Sequence, residues 1–124
     1  MELRWNTDRR RDDRVRFCME ICRGIFILEA LDEEYEIEEV TDISLAGMGF
    51  ELSSYLDPET PVNIVYEDHD HRIVVSSTVI WCEDQGAIHA NYQFGIVFDY
   101  SSEDASSRLL QVLGDCFEPR DLSF

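Results

Sequence analysis

The sequence contains no lysine. All ten of its basic residues are arginines, and they stand against 27 aspartates and glutamates, which gives a net charge of −17. A general nucleic-acid binder, or a protein that adheres to an anionic membrane surface, would have its partner repelled by most of this molecule. The composition is compatible both with a bias of the genome and with a salt-adapted host. Any anionic ligand therefore requires a local cluster of positive charge.

Long apolar runs are also missing. No stretch approaches the roughly eighteen apolar residues that a membrane span needs, and no apolar run of the signal-peptide kind is present near the N-terminus. We therefore expect a cytoplasmic protein that does not insert into a membrane. Its 124 residues, of which 44% are hydrophobic, suffice for one domain with one core and are too few for two.

The arrangements that usually signal catalysis or metal binding are absent from the sequence. There is no Ser-His-Asp or Cys-His combination and no phosphate-binding loop. The four cysteines form no CxxC pair, which predicts buried free thiols rather than disulfide bridges or zinc ligands. His69 and His71 lie in one polar turn, but a metal ion would need two further ligands. We predict a protein that is not an enzyme and holds no metal or cofactor.

Alternation of apolar and polar residues predicts a mainly β protein. The predicted strands cover residues 15–28 as one long bent strand, then 35–40, 48–52, 62–66, 72–82, 87–90 and 92–98. About six strands in series without intervening helices favour a twisted antiparallel barrel.

One helix is predicted after the strands, where Ser101 or Ser102 can act as its N-cap. Its apolar stripe would consist of Leu109, Leu110, Leu113 and Phe117. We assign residues 1–14, which are polar and without periodicity, to a flexible arm. Residues 15–117 form the predicted barrel with its helix, and residues 118–124 form a short tail.

Positive charge is concentrated in the arm. Residues 1–16 hold six arginines and four acids, whereas the other 108 residues hold four arginines and 23 acids. Arg9, Arg10 and Arg14 place guanidinium groups just before the first predicted strand. Each such group can make paired hydrogen bonds to a phosphate or to the O6 and N7 edge of guanine. The cluster suits a phosphorylated guanine nucleotide, although short charge runs are also common in solvated tails.

A second polar segment, residues 42–47, lies between two predicted strands. Asp42 can accept hydrogen bonds from N1 and N2 of guanine, and Ser44 offers a hydroxyl group. Gly47 permits a positive φ or a close approach of the backbone. The same residue types are typical of a turn that is bonded only to itself. From the segment alone, both interpretations stay open.

Together the two segments resemble the paired signature of the PilZ domain family, and the resemblance extends over nearly the whole chain. The residues that carry it are Arg10 and Arg14, Asp42, Ser44 and Gly47, Trp81 on a late strand, and Gly95-Ile96-Val97-Phe98 ahead of the C-terminal helix.

The resemblance implies a six-stranded antiparallel PilZ-type barrel that binds cyclic di-GMP and carries out no catalytic step. The arm would fold over the ligand, and the changed surface would be recognised by a downstream partner protein. Arg10 and Arg14 would contact guanine and phosphate. Asp42 and Ser44 would hold a guanine edge, and Gly47 would shape the loop.

Arg9 and Trp81 add to what the resemblance implies. Family members with an arginine directly before the first motif tend to take up two stacked, intercalated ligand molecules, which Arg9 implies here. Trp81 matches a position at which related single-domain members stack a tryptophan on guanine. The residues alone favour the core for Trp81, because it lies on a strand with Val79 and Cys82 and tryptophan is usually well buried.

Two other functions compete with a cyclic di-GMP receptor. Some PilZ-like proteins lack usable motifs and act as interaction scaffolds in pilus, flagellar or secretion machinery without binding the nucleotide. The complete signature of this chain favours binding. A small nucleic-acid-binding barrel is disfavoured by the net charge and by the lack of several aromatic residues on a basic face. We expect no DNA or RNA partner.

Overall fold

The described chain forms eight strands and one helix. The computed structural model describes residues 15–16, 23–86 and 91–114. The strands are β1 (Val15–Arg16), β2 (Ile25–Ala30), β3 (Glu33–Glu36), β4 (Glu39–Ile43), β5 (Gly47–Leu52), β6 (Pro61–Glu67), β7 (Arg72–Asp84) and β8 (Tyr92–Phe98). A 3-10 turn (Tyr100–Ser102) leads into the helix α1 (Glu103–Val112).

The strands make one sheet in the order β1-β4-β5-β8-β7-β6-β2-β3, and all neighbours are antiparallel. The predicted unit of residues 62–66 and 72–82 is the hairpin β6–β7, whose turn satisfies the backbone through a hydrogen bond from Asp68 N–H to His71 C=O at 2.9 Å. The prediction of a mainly β, antiparallel fold with a C-terminal helix is therefore confirmed.

The number of strands differs from the predicted six. The predicted bent strand of residues 15–28 contributes β1, which pairs with β4, and β2, which lies between β6 and β3. These two pieces stand near opposite ends of the strand order, and residues 17–22 lie outside the described chain. The predicted flexible arm of residues 1–14 and the tail of residues 118–124 also lie outside it.

The predicted strand of residues 35–40 is divided between β3 and β4 because the chain changes partners. Ile37 N–H donates to the carbonyl of Phe26 in β2 at 3.0 Å, whereas Glu38 N–H donates to the carbonyl of Glu51 in β5 at 3.0 Å. The alternation breaks at this point, because two exposed acids, Glu38 and Glu39, separate the buried Ile37 from the buried Val40.

The core lies on the concave side of the curled sheet. Phe50 of β5 and Phe94 of β8 are both fully buried and stack with ring centroids 5.2 Å apart. On the other side of the core, the rings of Phe26 and Tyr66 are 5.1 Å apart. Burial of each such side chain contributes roughly 1.5 to 3 kcal/mol. One face of the sheet is thus buried in the core.

The helix α1 packs against β7. The described members of its predicted apolar stripe are buried or partly buried: Leu109, Leu110 and Leu113. Phe117 lies outside the described chain. Ser102 stands at the N-cap, but its hydroxyl makes no capping bond and instead accepts a hydrogen bond from Ser76 N–H at 3.0 Å. The capping role was therefore wrong, since this hydroxyl ties the helix start to β7. No helix among the described residues is long and apolar enough to cross a membrane.

Cys82 is a free, half-buried thiol that packs against the core. Burial raises the pKa of this thiol, which keeps it protonated and unreactive. This agrees with the prediction for the one cysteine that is described. Cys18, Cys22 and Cys116 lie outside the described residues.

Candidate functional site

A row of four residues crosses the convex face of the sheet. The strand registers pair Asp42 of β4 with Gly49 of β5, Gly49 with Gly95 of β8, and Gly95 with Trp81 of β7. Neighbouring strands are about 4.8 Å apart, so the row spans about 14 Å. Two of the predicted ligand residues, Asp42 and Trp81, thus stand at the ends of one row with two glycines between them.

A β-bulge in β4 turns Asp42 to this convex face. The register places Val40 opposite Phe50 and Asp42 opposite Gly49, so Thr41 is the extra residue. Val40 is buried in the core, whereas the side chains of Thr41 and Asp42 both lie over Gly49. The bulge therefore gathers two polar side chains at one point.

A second bulge, in β7, does the same for Trp81. The inward-facing residues of β7 are odd-numbered up to Val79, which would send Trp81 inward as well. The register shifts at Ile80, and Trp81 faces outward with 40% of its surface exposed while Cys82 packs on the core. The alternative of a core tryptophan is therefore wrong.

Gly49 and Gly95 form the floor between these ends. A Cβ atom at Gly49 would lie 2.8 Å from Thr41 Oγ1 and 3.3 Å from both Asp42 carboxylate oxygens. A Cβ atom at Gly95 would collide with Cε2 and Nε1 of the Trp81 indole, which lies directly on this backbone. We did not single out Gly49 as a site residue from the sequence. The available signal was a glycine inside an alternating strand, which marks a bulge or a close approach.

A hydrogen bond crosses this floor. Gln93 Nε2 donates to Thr41 Oγ1 at 3.2 Å, although β5 lies between their strands β8 and β4. Neither residue was singled out from the sequence. Their contact depends on the three-dimensional neighbourhood of β4, β5 and β8, which a strand pattern does not encode.

The turn between β4 and β5 is shorter than predicted. Asp42 belongs to β4 and Gly47 begins β5, which leaves Ser44, Leu45 and Ala46 as the turn. Ser44 is 3% exposed, and its hydroxyl accepts a hydrogen bond from Ala46 N–H at 3.1 Å. Ser44 N–H donates to the carbonyl of Gly47 at 2.9 Å. The turn is thus bonded to itself, but the Ser44 hydroxyl keeps a hydrogen that it can donate.

Gly47 does not have the positive φ that one interpretation required. Among the glycines of the described chain, a positive φ occurs at Gly86, with φ 94°. Gly47 has the extended backbone of a strand and is buried. Gly47 therefore does not lie within the loop that it was predicted to shape; it is the first residue of β5, directly after the turn.

Strand β1 begins beside this turn. Val15 lies opposite Ile43, the residue before Ser44, and Arg16 lies opposite Asp42. The predicted arginine ligands Arg9, Arg10 and Arg14 lie outside the described residues. Val15, the residue after Arg14 in the sequence, is the first described residue and pairs beside the turn that carries Ser44.

The two sides of the glycine floor differ in charge. On one side runs the row Glu39, Glu51, Gln93 and Glu83. On the other side the next row consists of Gly47, Val97 and Thr78, which carry no charge. A ligand on the floor would therefore meet acids directly on one flank. On the other, uncharged flank near the Ser44 turn, the acids Asp99 and Glu103 lie beyond the row, in a pocket shared with Leu45 and Val97.

The polar turn with two histidines is stabilised by its own contacts. Asp68 accepts hydrogen bonds from the Tyr66 hydroxyl, Asp70 N–H and His71 N–H, each at 2.8 Å. The Tyr66 hydroxyl, followed by the bonds from Asp70 and His71, lowers the pKa of Asp68 from 3.8 to about 2. Among the described residues, no cluster of three or more histidines, cysteines and acids could hold a metal ion.

A family model of the PilZ domain matches residues 8–115, and the chain belongs to that family. Among solved structures, the PilZ domain with c-di-GMP of YcgR from Escherichia coli is similar, with a TM-score of 0.67 and 16% sequence identity. The match covers 88% of this chain and 92% of that one. No curated protein matches the sequence at a significant level. The structural likeness extends the family assignment to the fold.

Proposed function

We propose that this chain is a cyclic di-GMP receptor and that the row Asp42, Gly49, Gly95, Trp81 is the floor of its ligand site. The observation that carries the proposal is the pair of bulges that turn Asp42 and Trp81 to the same face, at the two ends of a row whose inner members are glycines. Because those glycines have no side chains, the Asp42 carboxylate and the Trp81 indole lie close against the sheet, and a flat base can lie over them. The similar YcgR domain, whose structure was solved with c-di-GMP, supports the choice of ligand.

In this proposal the Asp42 carboxylate accepts hydrogen bonds from N1 and N2 of a guanine. A base stacks on the exposed face of Trp81, an interaction worth about 1 to 3 kcal/mol per base. The Ser44 hydroxyl donates its hydrogen toward the ligand. Gly47, which has no side chain, joins the turn to β5. The receptor binds and releases its ligand and catalyses no reaction.

The phosphates belong on the neutral flank, near the Ser44 turn. Acids line the opposite flank, and phosphate would be repelled there. Val15 starts from the neutral side, so Arg10 and Arg14 need only a few residues of chain to reach the phosphates. Residues 1–14 are the arm, residues 15–117 the barrel with its helix, and residues 118–124 the tail.

Closure of the arm is the step that signals. Ordering a free segment costs about 1 to 2 kcal/mol per residue, which the charge-assisted bonds of the arginines offset. The closed arm offers a new surface to a downstream protein in the cytoplasm. Backbone amide spectra recorded with and without cyclic di-GMP test this step, since chemical-shift changes confined to β4, β5, β7 and β8 would contradict it.

Calorimetric titration of the full chain with cyclic di-GMP tests the proposal. Arg10→Ala and Arg14→Ala should each weaken binding by about tenfold or more, because each removes charge-assisted bonds worth roughly 1.5 to 3 kcal/mol. Arg23→Ala removes the same charge from an exposed position two residues before β2 and is the matched control. Unchanged affinity in both arm variants would remove those residues from the site.

Arg9 carries a separate prediction about stoichiometry. If two intercalated ligands bind, the parent protein takes up two molecules per chain and Arg9→Ala takes up fewer. One ligand per chain in the parent protein would reject the pair of ligands and leave the receptor itself in place.

A scaffold that does not bind the nucleotide is the second candidate. It is favoured by Ser44, which is buried and bonded within its own turn. The same titration decides between the two, because a scaffold of this kind gives no binding heat in the parent protein.

A further inference from the structure

Three polar side chains meet over Gly49, and only one of them was expected at the site. The carboxylate of Asp42 and the hydroxyl of Thr41 lie 3.3 and 2.8 Å from the point that a Cβ atom of Gly49 would occupy. The amide of Gln93 reaches the same hydroxyl from two strands away, at 3.2 Å. The contact forms because Gly49 has no side chain to block it.

Gln93 is the neutral member of an otherwise acidic row. Its neighbours in the registers are Glu51 of β5 and Glu83 of β7. The carboxylate of Glu51 already accepts a hydrogen bond from Asn91 Nδ2 at 3.1 Å. Carboxylates only accept hydrogen bonds when they are ionised, whereas a side-chain amide also has two N–H hydrogens to donate. One of these is directed to Thr41, and the amide retains a second.

From this geometry we infer that Gln93 is a specificity-determining residue that donates a hydrogen bond to O6 of a guanine whose N1 and N2 face Asp42. Guanine presents an acceptor at O6 beside its donors at N1 and N2. A carboxylate matches the two donors, and an amide N–H matches the acceptor. Adenine presents a donor at N6 and an acceptor at N1, so its N1 would face the carboxylate without a proton. This inference rests on the proposed function and names what selects the base.

Gln93 would make the same hydrogen bond to Thr41 if its role were only to stabilise the site. The variant Gln93→Glu separates that structural role from recognition of the base. The carboxylate of that variant can still accept a hydrogen bond from the Thr41 hydroxyl, so the contact between positions 93 and 41 across Gly49 is kept. It cannot donate to O6, and it brings a negative charge toward that acceptor. Gln93→Leu removes both interactions. Gln111→Glu makes the same change of charge on the exposed side of α1 and is the matched control.

The experiment is calorimetric titration of each full-length protein with cyclic di-GMP and with cyclic di-AMP. The parent protein should prefer cyclic di-GMP. Gln93→Leu should weaken cyclic di-GMP binding by about 2- to 10-fold, the loss of one neutral hydrogen bond. Gln93→Glu should weaken it by about tenfold or more because the charge adds to that loss. Both variants should narrow the preference between the two nucleotides, and Gln111→Glu should behave as the parent does.

Other outcomes overturn the inference. If cyclic di-GMP affinity is unchanged in both Gln93 variants while Asp42→Asn weakens it, Gln93 does not contact the base. If both nucleotides lose affinity equally, Gln93 acts on the structure of the site and not on the choice of base. If the parent protein binds neither nucleotide, the proposed function fails instead. Thermal midpoints are recorded for all variants, and Gln93→Glu decides the outcome where Gln93→Leu lowers the midpoint.

Discussion

At the scale of single residues, two glycines determine what can lie on the convex face. Gly49 lets Thr41, Asp42 and Gln93 converge, and Gly95 lets the indole of Trp81 rest on the backbone. Glycine usually weakens a strand because it loses more conformational entropy on folding than other residues. That cost is accepted here because neighbouring side chains have to lie directly on the backbone.

Gly95→Ala tests the floor directly. The added methyl group would lie 2.8 Å from Cζ2 of Trp81 and still closer to Cε2 and Nε1, so the indole must move. We expect a loss of about 1 to 3 kcal/mol in the free energy of unfolding, a shift of the Trp81 emission and weaker binding of cyclic di-GMP. Urea unfolding and fluorescence in a Trp5→Phe background, which leaves Trp81 as the only tryptophan, measure the first two effects.

Gly114→Ala is the control for this substitution. A Cβ atom there has no described atom within 4 Å, so the added methyl should leave emission and binding unchanged. An unshifted Trp81 emission in Gly95→Ala would mean that the indole does not rest on this backbone.

At the scale of elements, bulges explain why the sequence predicted the strands better than the site. The hairpin β6–β7 and the buried side of α1 follow from apolar periodicity, and both were predicted. Alternation alone would turn Trp81 inward, since Ile73, Val75 and Val79 all face the core. One extra residue reverses that alternation, and no composition rule identifies Ile80 as the extra residue. The site residues were instead predicted from the resemblance to PilZ motifs.

The turn between β6 and β7 makes a prediction about pH. Contacts from Tyr66, Asp70 and His71 lower the pKa of Asp68 from 3.8 to about 2. A carboxyl group with a lowered pKa stabilises the fold above its ordinary pKa, and this contribution is lost as the pH falls through the lowered value. The difference in unfolding free energy between the parent and Asp68→Asn should therefore be constant near neutral pH and shrink as the pH falls from 3.8 toward 2.

Urea unfolding at a series of pH values measures this difference. Asp70→Asn changes an exposed acid in the same turn and should show a smaller dependence. A difference for Asp68→Asn that stays constant down to the lowest pH would contradict the assigned hydrogen bonds.

At the scale of the whole molecule, the net charge of −17 is a cost to the folded state. Like charges on a compact surface repel one another, and the repulsion is relieved when the chain expands. Much of the described surface of β3 and β4 is acidic, including Glu33, Glu34 and Glu39. Burial of the core and hydrogen bonding in the sheet must therefore outweigh the repulsion among the acidic residues at the surface.

Added salt should raise the stability of this protein. Between about 0.1 M and about 1 M salt the Debye length falls from about 10 Å to about 3 Å, so repulsion among exposed acids is screened. The urea midpoint should rise over this range. Equal ionic strengths of NaCl and KCl should act alike, because screening does not depend on which cation is present. A midpoint that is constant or falls would show that surface repulsion does not limit stability.

The bulge at Ile80 has a consequence for how such proteins diversify. If that single residue is deleted, Trp81 follows Val79 directly, and the two can keep their partners Gly95 and Ile96, so the indole stays on the convex face. The exposed side chain of Ile80 is what the deletion removes. Loss of one codon here would therefore alter the surface beside the indole while the position of the indole is inherited unchanged.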